Sequence, residues 1–289
     1  MKSLKTVFRV GMFVCVFVSC LFIINQGNML QAAEYAVKTA QLPSRIFTHG
    51  GGTVYYPADN ARHGVVLIMP GFMETQSYIQ WYGPMLAKNG FVAVTMDSLT
   101  RADLPSSRAR QLAAALKDVK SRFKTIVDPA RAAYMGHSMG GGGTLDAAVK
   151  DPGLKAIIPI APWHDLSITN ATVYYGQIQV PTLIISCAAD LIAPNLKHSD
   201  VFYNAIGSAK KMQITMSGGL HSCANTDGTV PVGIEMDLAP NDQYKPAITH
   251  FVVSWLRYFM DGESVYLQDL CGPGADQPEV ESSRNNFCE

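Results

Sequence analysis

The chain has 289 residues, 48% hydrophobic and 16% charged, with 23 Lys+Arg against 23 Asp+Glu. That composition builds a substantial core and excludes disordered and collagen-like chains. A formal charge of zero offers no basic field to a phosphate backbone, so no nucleic-acid partner is expected.

At the amino terminus, Lys2, Lys5 and Arg9 precede the apolar run Gly11–Ile24 (GMFVCVFVSCLFII), and the small residues Ala32 and Ala33 follow. This order of charged, apolar and small residues predicts a cleavable secretory signal over residues 1–33. The apolar run is short for a membrane span, so an uncleaved anchor fits less well and no stable membrane anchor is expected. A lipoprotein acylated at Cys20 fits worse, because the apolar LFII follows where a mature chain turns polar. Without the signal the chain keeps 20 basic and 23 acidic groups, a net of −3.

Cleavage also removes Cys15 and Cys20 and leaves Cys187, Cys223, Cys271 and Cys288. An even count in an exported chain suggests disulfides. Four cysteines allow three connectivities, and closeness in sequence favours Cys187 with Cys223 and Cys271 with Cys288. No CxxC motif or His/Cys cluster suggests zinc, and neither metal nor cofactor is expected.

From Gly52 onward, short continuous apolar runs alternate with helix-length amphipathic stretches. The runs predict strands at Val65–Met69, Phe91–Met96, Arg131–Gly136, Ala156–Ile160, Thr182–Ser186 and Met212–Met216, each buried on both faces. Helices are predicted at Ile79–Lys88, Ser107–Phe123, Thr144–Lys150 and Ala247–Tyr258; the last starts after Pro246 and ends near Gly262. Strand and helix in alternation imply an α/β domain, a mostly parallel sheet with helices on both sides. Residues 34–289 are expected to form one such domain. The Gly-, Pro- and Ser-rich tail beyond Gly262 would be loose without a disulfide to hold it.

Gly136-His137-Ser138-Met139-Gly140 lies between a predicted strand and a predicted helix, as a G-x-S-x-G nucleophile elbow requires. The glycines let a strand reverse into a helix within one or two residues, which leaves the Ser138 hydroxyl clear of the backbone. A serine needs a histidine base and an acid to orient it, in the chain order Ser, Asp/Glu, His. His221 follows the strand Met212–Met216 directly, whereas His164 comes too early and His198 and His250 fall in or beside helical patterns. Asp190 lies just past Thr182–Ser186, at the same carboxyl end of the sheet; Asp165 is the runner-up and Asp146 reads as a solvated surface charge. The amides of Met139 and Phe72, the latter after Pro70-Gly71, are the expected oxyanion donors. Phe72 as a mere core aromatic is the plainer alternative, and the same holds for Trp163.

These residues resemble the bacterial cutinases and poly(ethylene terephthalate) hydrolases of the α/β-hydrolases, near the cold-adapted lipase of Moraxella type. The strings that carry the likeness are MPGF at Met69, WYGPMLAKNGF at Trp81, GHSMGGGG at Gly136, APWH at Ala161, VPTLI at Val180, DLIAP at Asp190 and GGLHSCAN at Gly218. The resemblance implies an α/β-hydrolase fold without a large lid domain. It places nucleophile, acid and base on Ser138, Asp190 and His221, and the oxyanion donors on Phe72 and Met139. It also sets an aromatic clamp on Trp163, with Ile192 beside it, while His137 and Ser222 are expected to line the substrate cleft.

A Cys187–Cys223 disulfide beside the site is implied for the poly(ethylene terephthalate) hydrolase branch, although His137 resembles the actinomycete cutinases. Two loops, Asp165 to Val180 and Asn225 to Lys245, look longer than usual and border the cleft. The expected function is a secreted, monomeric serine carboxylic-ester hydrolase. Its substrates would be cutin-like and aromatic polyesters together with short and medium acyl esters. The alternatives are a triacylglycerol lipase or esterase without polymer activity, and a non-catalytic hydrolase-fold binding protein.

Overall fold

The computed structural model describes residues 34–226 and 242–288. The expected secretory signal therefore lies outside the described residues, as does most of the expected long loop 225–245. Five strands are buried along their whole length or nearly so: β3 (His63–Met69), β4 (Val92–Met96), β6 (Ala156–Ile160), β7 (Thr182–Cys187) and β8 (Lys211–Met216), and all but β8, whose Lys211, Gln213 and Thr215 share one face, are mainly apolar. A strand without a polar face is stable only where both faces are covered. With β5 (Val127–His137) they form the parallel centre, in the order β4-β3-β5-β6-β7-β8.

Among the described residues three further strands extend this sheet to nine, and the sequence did not announce them. β1 (Val37–Leu42) and β2 (Gly52–Pro57) pair antiparallel with each other, and β2 pairs antiparallel with β4. β9 (Val280–Asn285) pairs antiparallel with β8 at the opposite edge. β1 and β9 are exposed or half-buried over nearly all of their length, so they lack the apolar run by which the central strands are recognised. The tail is thus fixed by a strand as well as by a Cys271–Cys288 disulfide.

The helices are α1 (Tyr82–Lys88), α2 (Pro105–Arg122), α3 (Met139–Lys150), α4 (Ile168–Tyr175), α5 (Ser199–Ala205), α6 (Lys245–Leu256) and α7 (Leu267–Cys271). Two apolar cores result. Leu112, Leu116 and Val119 of α2 share one with Leu145 of α3, Tyr175 of α4 and Phe202 of α5. Leu86 of α1 shares the other with Ile248, Phe251 and Trp255 of α6. Helices thus cover both faces, and the arrangement is the α/β-hydrolase fold. The stretch 165–180, expected as a long loop, contains α4, whose N-cap Ser167 accepts from the Asn170 amide. Because the central strands run parallel, their carboxyl ends at Met69, His137, Ile160, Cys187 and Met216 lie along one edge of the sheet.

Candidate active site

Ser138 occupies the junction of β5 and α3 with φ 54° and ψ −119°, a region that costs a non-glycine residue energy. Neighbours hold it there. Its N–H donates to Ile160 O at 2.9 Å, and its carbonyl accepts from the Trp163 and Gly142 amides at 2.9 and 3.0 Å. A Cβ at Gly136 would strike the Gly140 carbonyl, and one at Gly140 would strike the Met69 carbonyl. Both glycines are therefore required by close backbone approach.

His221 follows β8, and its Nε2 lies 2.9 Å from Ser138 Oγ. Its Nδ1 lies 2.8 Å from Asp190 Oδ2. A carboxylate only accepts, so Nδ1 carries the proton and Nε2 is left to accept from the serine hydroxyl. Asp190 is aimed by its other oxygen, which accepts from the Ile192 and Ala193 amides at 2.9 and 2.7 Å. Burial pushes the Asp190 carboxyl up, but hydrogen bonds from His221 and these amides outweigh it and hold the group below the usual carboxylate range. Ser138, His221 and Asp190 are all buried to within a few per cent.

Met139 begins α3, so its amide has no carbonyl of its own helix to meet. Among the described residues neither it nor the Phe72 amide has an acceptor. Phe72 is 41% exposed and is not a core aromatic. Trp163 is half-buried, with its ring stacked on His198 at 6.1 Å between centroids, and Ile192 is exposed beside the acid.

The other candidates from the sequence take different places. His137 and Ser222, expected to line the substrate cleft, are instead buried, each only 2% exposed. The His137 ring instead bridges the Glu74 carboxylate and the His221 carbonyl. Asp165 is turned outward and paired with His164 Nδ1 at 2.9 Å, away from His221. Asp146 is a buried acceptor for the Tyr175 hydroxyl at 3.1 Å, because the α3 face that carries it packs against α4. His250 binds the Asp269 carbonyl at 3.1 Å and takes no part in the site.

Two residues near the site escaped the sequence. Arg108 of α2 is fully buried and donates to the carbonyls of Pro70, Arg101 and Asp103, so it anchors the loop that bears Phe72. Burial pushes its guanidinium down to about 10. Glu74 lies buried two residues beyond Phe72. An acid just after a Pro-Gly turn at a strand end was the signal available for it.

Cys187, at the end of β7, is bonded to Cys223, two residues past His221. The bond ties the loop that carries Asp190 to the loop that carries His221. In the chain-entropy model, closing its 36-residue separation stabilises by about 4 kcal/mol, against about 3 for the 17-residue separation of Cys271 and Cys288. Position separates the two where energy does not. Cys187→Ala with Cys223→Ala is expected to lower kcat well below the melting temperature, because the imidazole loses its orientation. Cys271→Ala with Cys288→Ala should lower Tm with kcat nearly unchanged; equal kcat in both double variants would remove the orienting role.

Among the described residues no group of three or more His, Cys, Asp or Glu is placed to hold a metal ion. A family model described as PET hydrolase-like matches residues 27–289. Cutinase 2 of Thermobifida cellulosilytica is 42% identical over 230 residues, covering 78% of this chain and 79% of that protein. Cutinase est1 of Thermobifida alba is 43% identical over 230 residues, 78% of this chain and 70% of its own. A bis(hydroxyethyl) terephthalate hydrolase of Streptomyces coelicolor is 36% identical over 258 residues, 87% of this chain and 76% of its own.

Proposed function

The chain belongs to the PET hydrolase-like family, and from that premise we propose that it is a serine carboxylic-ester hydrolase acting on polyesters and on short and medium acyl esters. The relay from Ser138 through His221 to Asp190, with both contacts at hydrogen-bonding distance, carries this proposal. Ser138 Oγ attacks the ester carbonyl while His221 Nε2 takes its proton. The resulting oxyanion is met by the Phe72 and Met139 amides. His221 returns the proton to the leaving alkoxide, the acyl group stays on Ser138, and a water activated by the same imidazole releases the acid.

Relatives named for cutin and for a terephthalate ester support polyesters as the substrate class. So does the setting of the relay, where the exposed apolar side chains of Phe72, Leu191 and Ile192 accompany Trp163. Comparing rates on a soluble nitrophenyl ester, an emulsified triglyceride and a polyester film tests the assignment. Release of monomeric acid from the film supports it; activity confined to triglyceride would make the enzyme a lipase. Trp163→Ala should raise KM for aromatic esters several-fold and shift Tm little, since a half-exposed ring binds substrate more than it fills the core. A large fall in Tm with unaltered kinetics would return Trp163 to a structural role.

We further infer that residues 1–33 are an export signal and that residues 34–289 are one secreted, monomeric catalytic domain. Two disulfides and a relay completed within one chain support this. Mass spectrometry of the exported protein reads its first residue, and sedimentation reads its mass.

A further inference from the structure

Glu74 is 3% exposed and has three donors around its carboxylate. Oε2 accepts from the Gly71 amide, and Oε1 accepts from Asn225 Nδ2 at 3.0 Å and faces His137 Nδ1 at 2.8 Å. His137 Nε2 lies 2.9 Å from the His221 carbonyl. A carbonyl only accepts, so Nε2 carries a proton. With Glu74 ionised, Nδ1 donates to its carboxylate and carries a second proton, which makes His137 an imidazolium held against a carboxylate in the interior.

The connections of this pair are specific to the site. Gly71 immediately precedes Phe72, and Asn225 follows Cys223 on the loop that carries His221. A Cβ on Gly71 would come within 2.9 Å of both Glu74 Oε2 and Ser138 Cβ, so the loop runs tightly between the carboxylate and the elbow. We propose that Glu74 is a positioning residue, whose buried carboxylate clamps the oxyanion loop, through His137 and Asn225, to the loop that carries His221. The disulfide fixes the base loop to the acid loop, and Glu74 fixes it to the oxyanion loop. The proposal rests on the assignment of Phe72 and His221 made above.

Burial alone would neutralise both groups, pushing Glu74 up and His137 down. Their mutual attraction outweighs it, so Glu74 sits below its ordinary range and His137 above. The titratable groups that face them are His221 from the loop after β8, Asp190 from the loop after β7 and Arg108 from α2. The stabilisation from His137 is fully present below its unfolded value and is lost as pH rises through the raised one. That from Glu74 is present above its unfolded value and is lost as pH falls through the depressed one. The clamp holds between these limits.

Glu74→Gln keeps the shape and removes the charge. Buried beside an amide, His137 then takes the neutral form with only Nε2–H, and Asn225 loses its acceptor. Misplacement of about 1 Å near reacting groups costs roughly 100-fold, so kcat on a soluble ester should fall by about 10- to 100-fold with KM nearly unchanged. Glu74→Gln combined with His137→Gln should be no worse than the more impaired single variant, because either change opens the same clamp. In the unsubstituted protein, proton NMR should show two ring N–H resonances for His137 at neutral pH, and only one in Glu74→Gln. A single ring N–H in the unsubstituted protein, kcat of Glu74→Gln within twofold of it, or additive losses in the double variant would overturn the proposal. Retained activity in Ser138→Ala would instead undo the underlying assignment, whatever Glu74 does.

Discussion

Replacing Ser138 with alanine is expected to remove ester hydrolysis almost entirely, by about a millionfold in kcat, because no acyl-enzyme can form. The fold should survive. The hydroxyl is directed at His221 Nε2, while the φ of 54° is enforced by backbone contacts to Ile160, Trp163 and Gly142 that alanine keeps. Tm should stay within a few degrees, or rise slightly, as happens when a strained functional site loses a polar group. Fluorophosphonate labelling locates the nucleophile independently and should mark the unsubstituted protein at Ser138 alone. A variant keeping a tenth of the activity, or a label on another serine, would show that the elbow is not the site of attack. Loss of Tm together with activity would leave the labelled residue as the deciding measurement.

The sequence disclosed most about those parts of the molecule where one physical demand dominates. The central strands must be apolar on both faces, so runs such as VVLIM and AIIPI mark β3 and β6 almost to the residue. The elbow needs glycines where backbones nearly touch, and that requirement is written in Gly136 and Gly140. Edge strands carry no such demand. β9, with the sequence VESSRN, is a strand because β8 offers it an unpaired edge, and nothing local announces it.

Buried polar groups were the hardest to read. Glu74, Arg108, Asp146 and His137 would each be placed at the surface or in the cleft by residue type, and all are interior because partners from distant segments satisfy them. Glu74 meets Asn225 across 151 positions and His137 across 63. Periodicity, which is local, holds no trace of such pairings. Sequence order did single out Asp190 and His221, whose side chains the fold brings into one hydrogen-bonded chain with Ser138, because a nucleophile elbow implies its partners in chain order.

Asp190→Asn should lower kcat by about 10⁴-fold while leaving the fold in place. The asparagine can keep its carbonyl oxygen toward the Ile192 and Ala193 amides, which admit only an acceptor. Its amide nitrogen must then face His221 Nδ1 and donate to it. That bond requires the imidazole to carry its proton on Nε2 instead, so the nitrogen that faces Ser138 at 2.9 Å becomes a donor and cannot take the serine proton. The damage is therefore to the tautomer, and distances within the relay should change little. Asp165→Asn is the control by position: its carboxylate is 63% exposed and bound to His164, so kcat should stay within about twofold. Asp146→Asn is the control by burial. It weakens an acceptor of the Tyr175 hydroxyl and should lower Tm by a few degrees without a comparable fall in kcat. Measuring kcat and Tm for all three separates burial from catalysis. If Asp165→Asn proved the most damaging to kcat, the acid would have to come from the loop after β6, and the hydrogen bonds around Asp190 would be structural only.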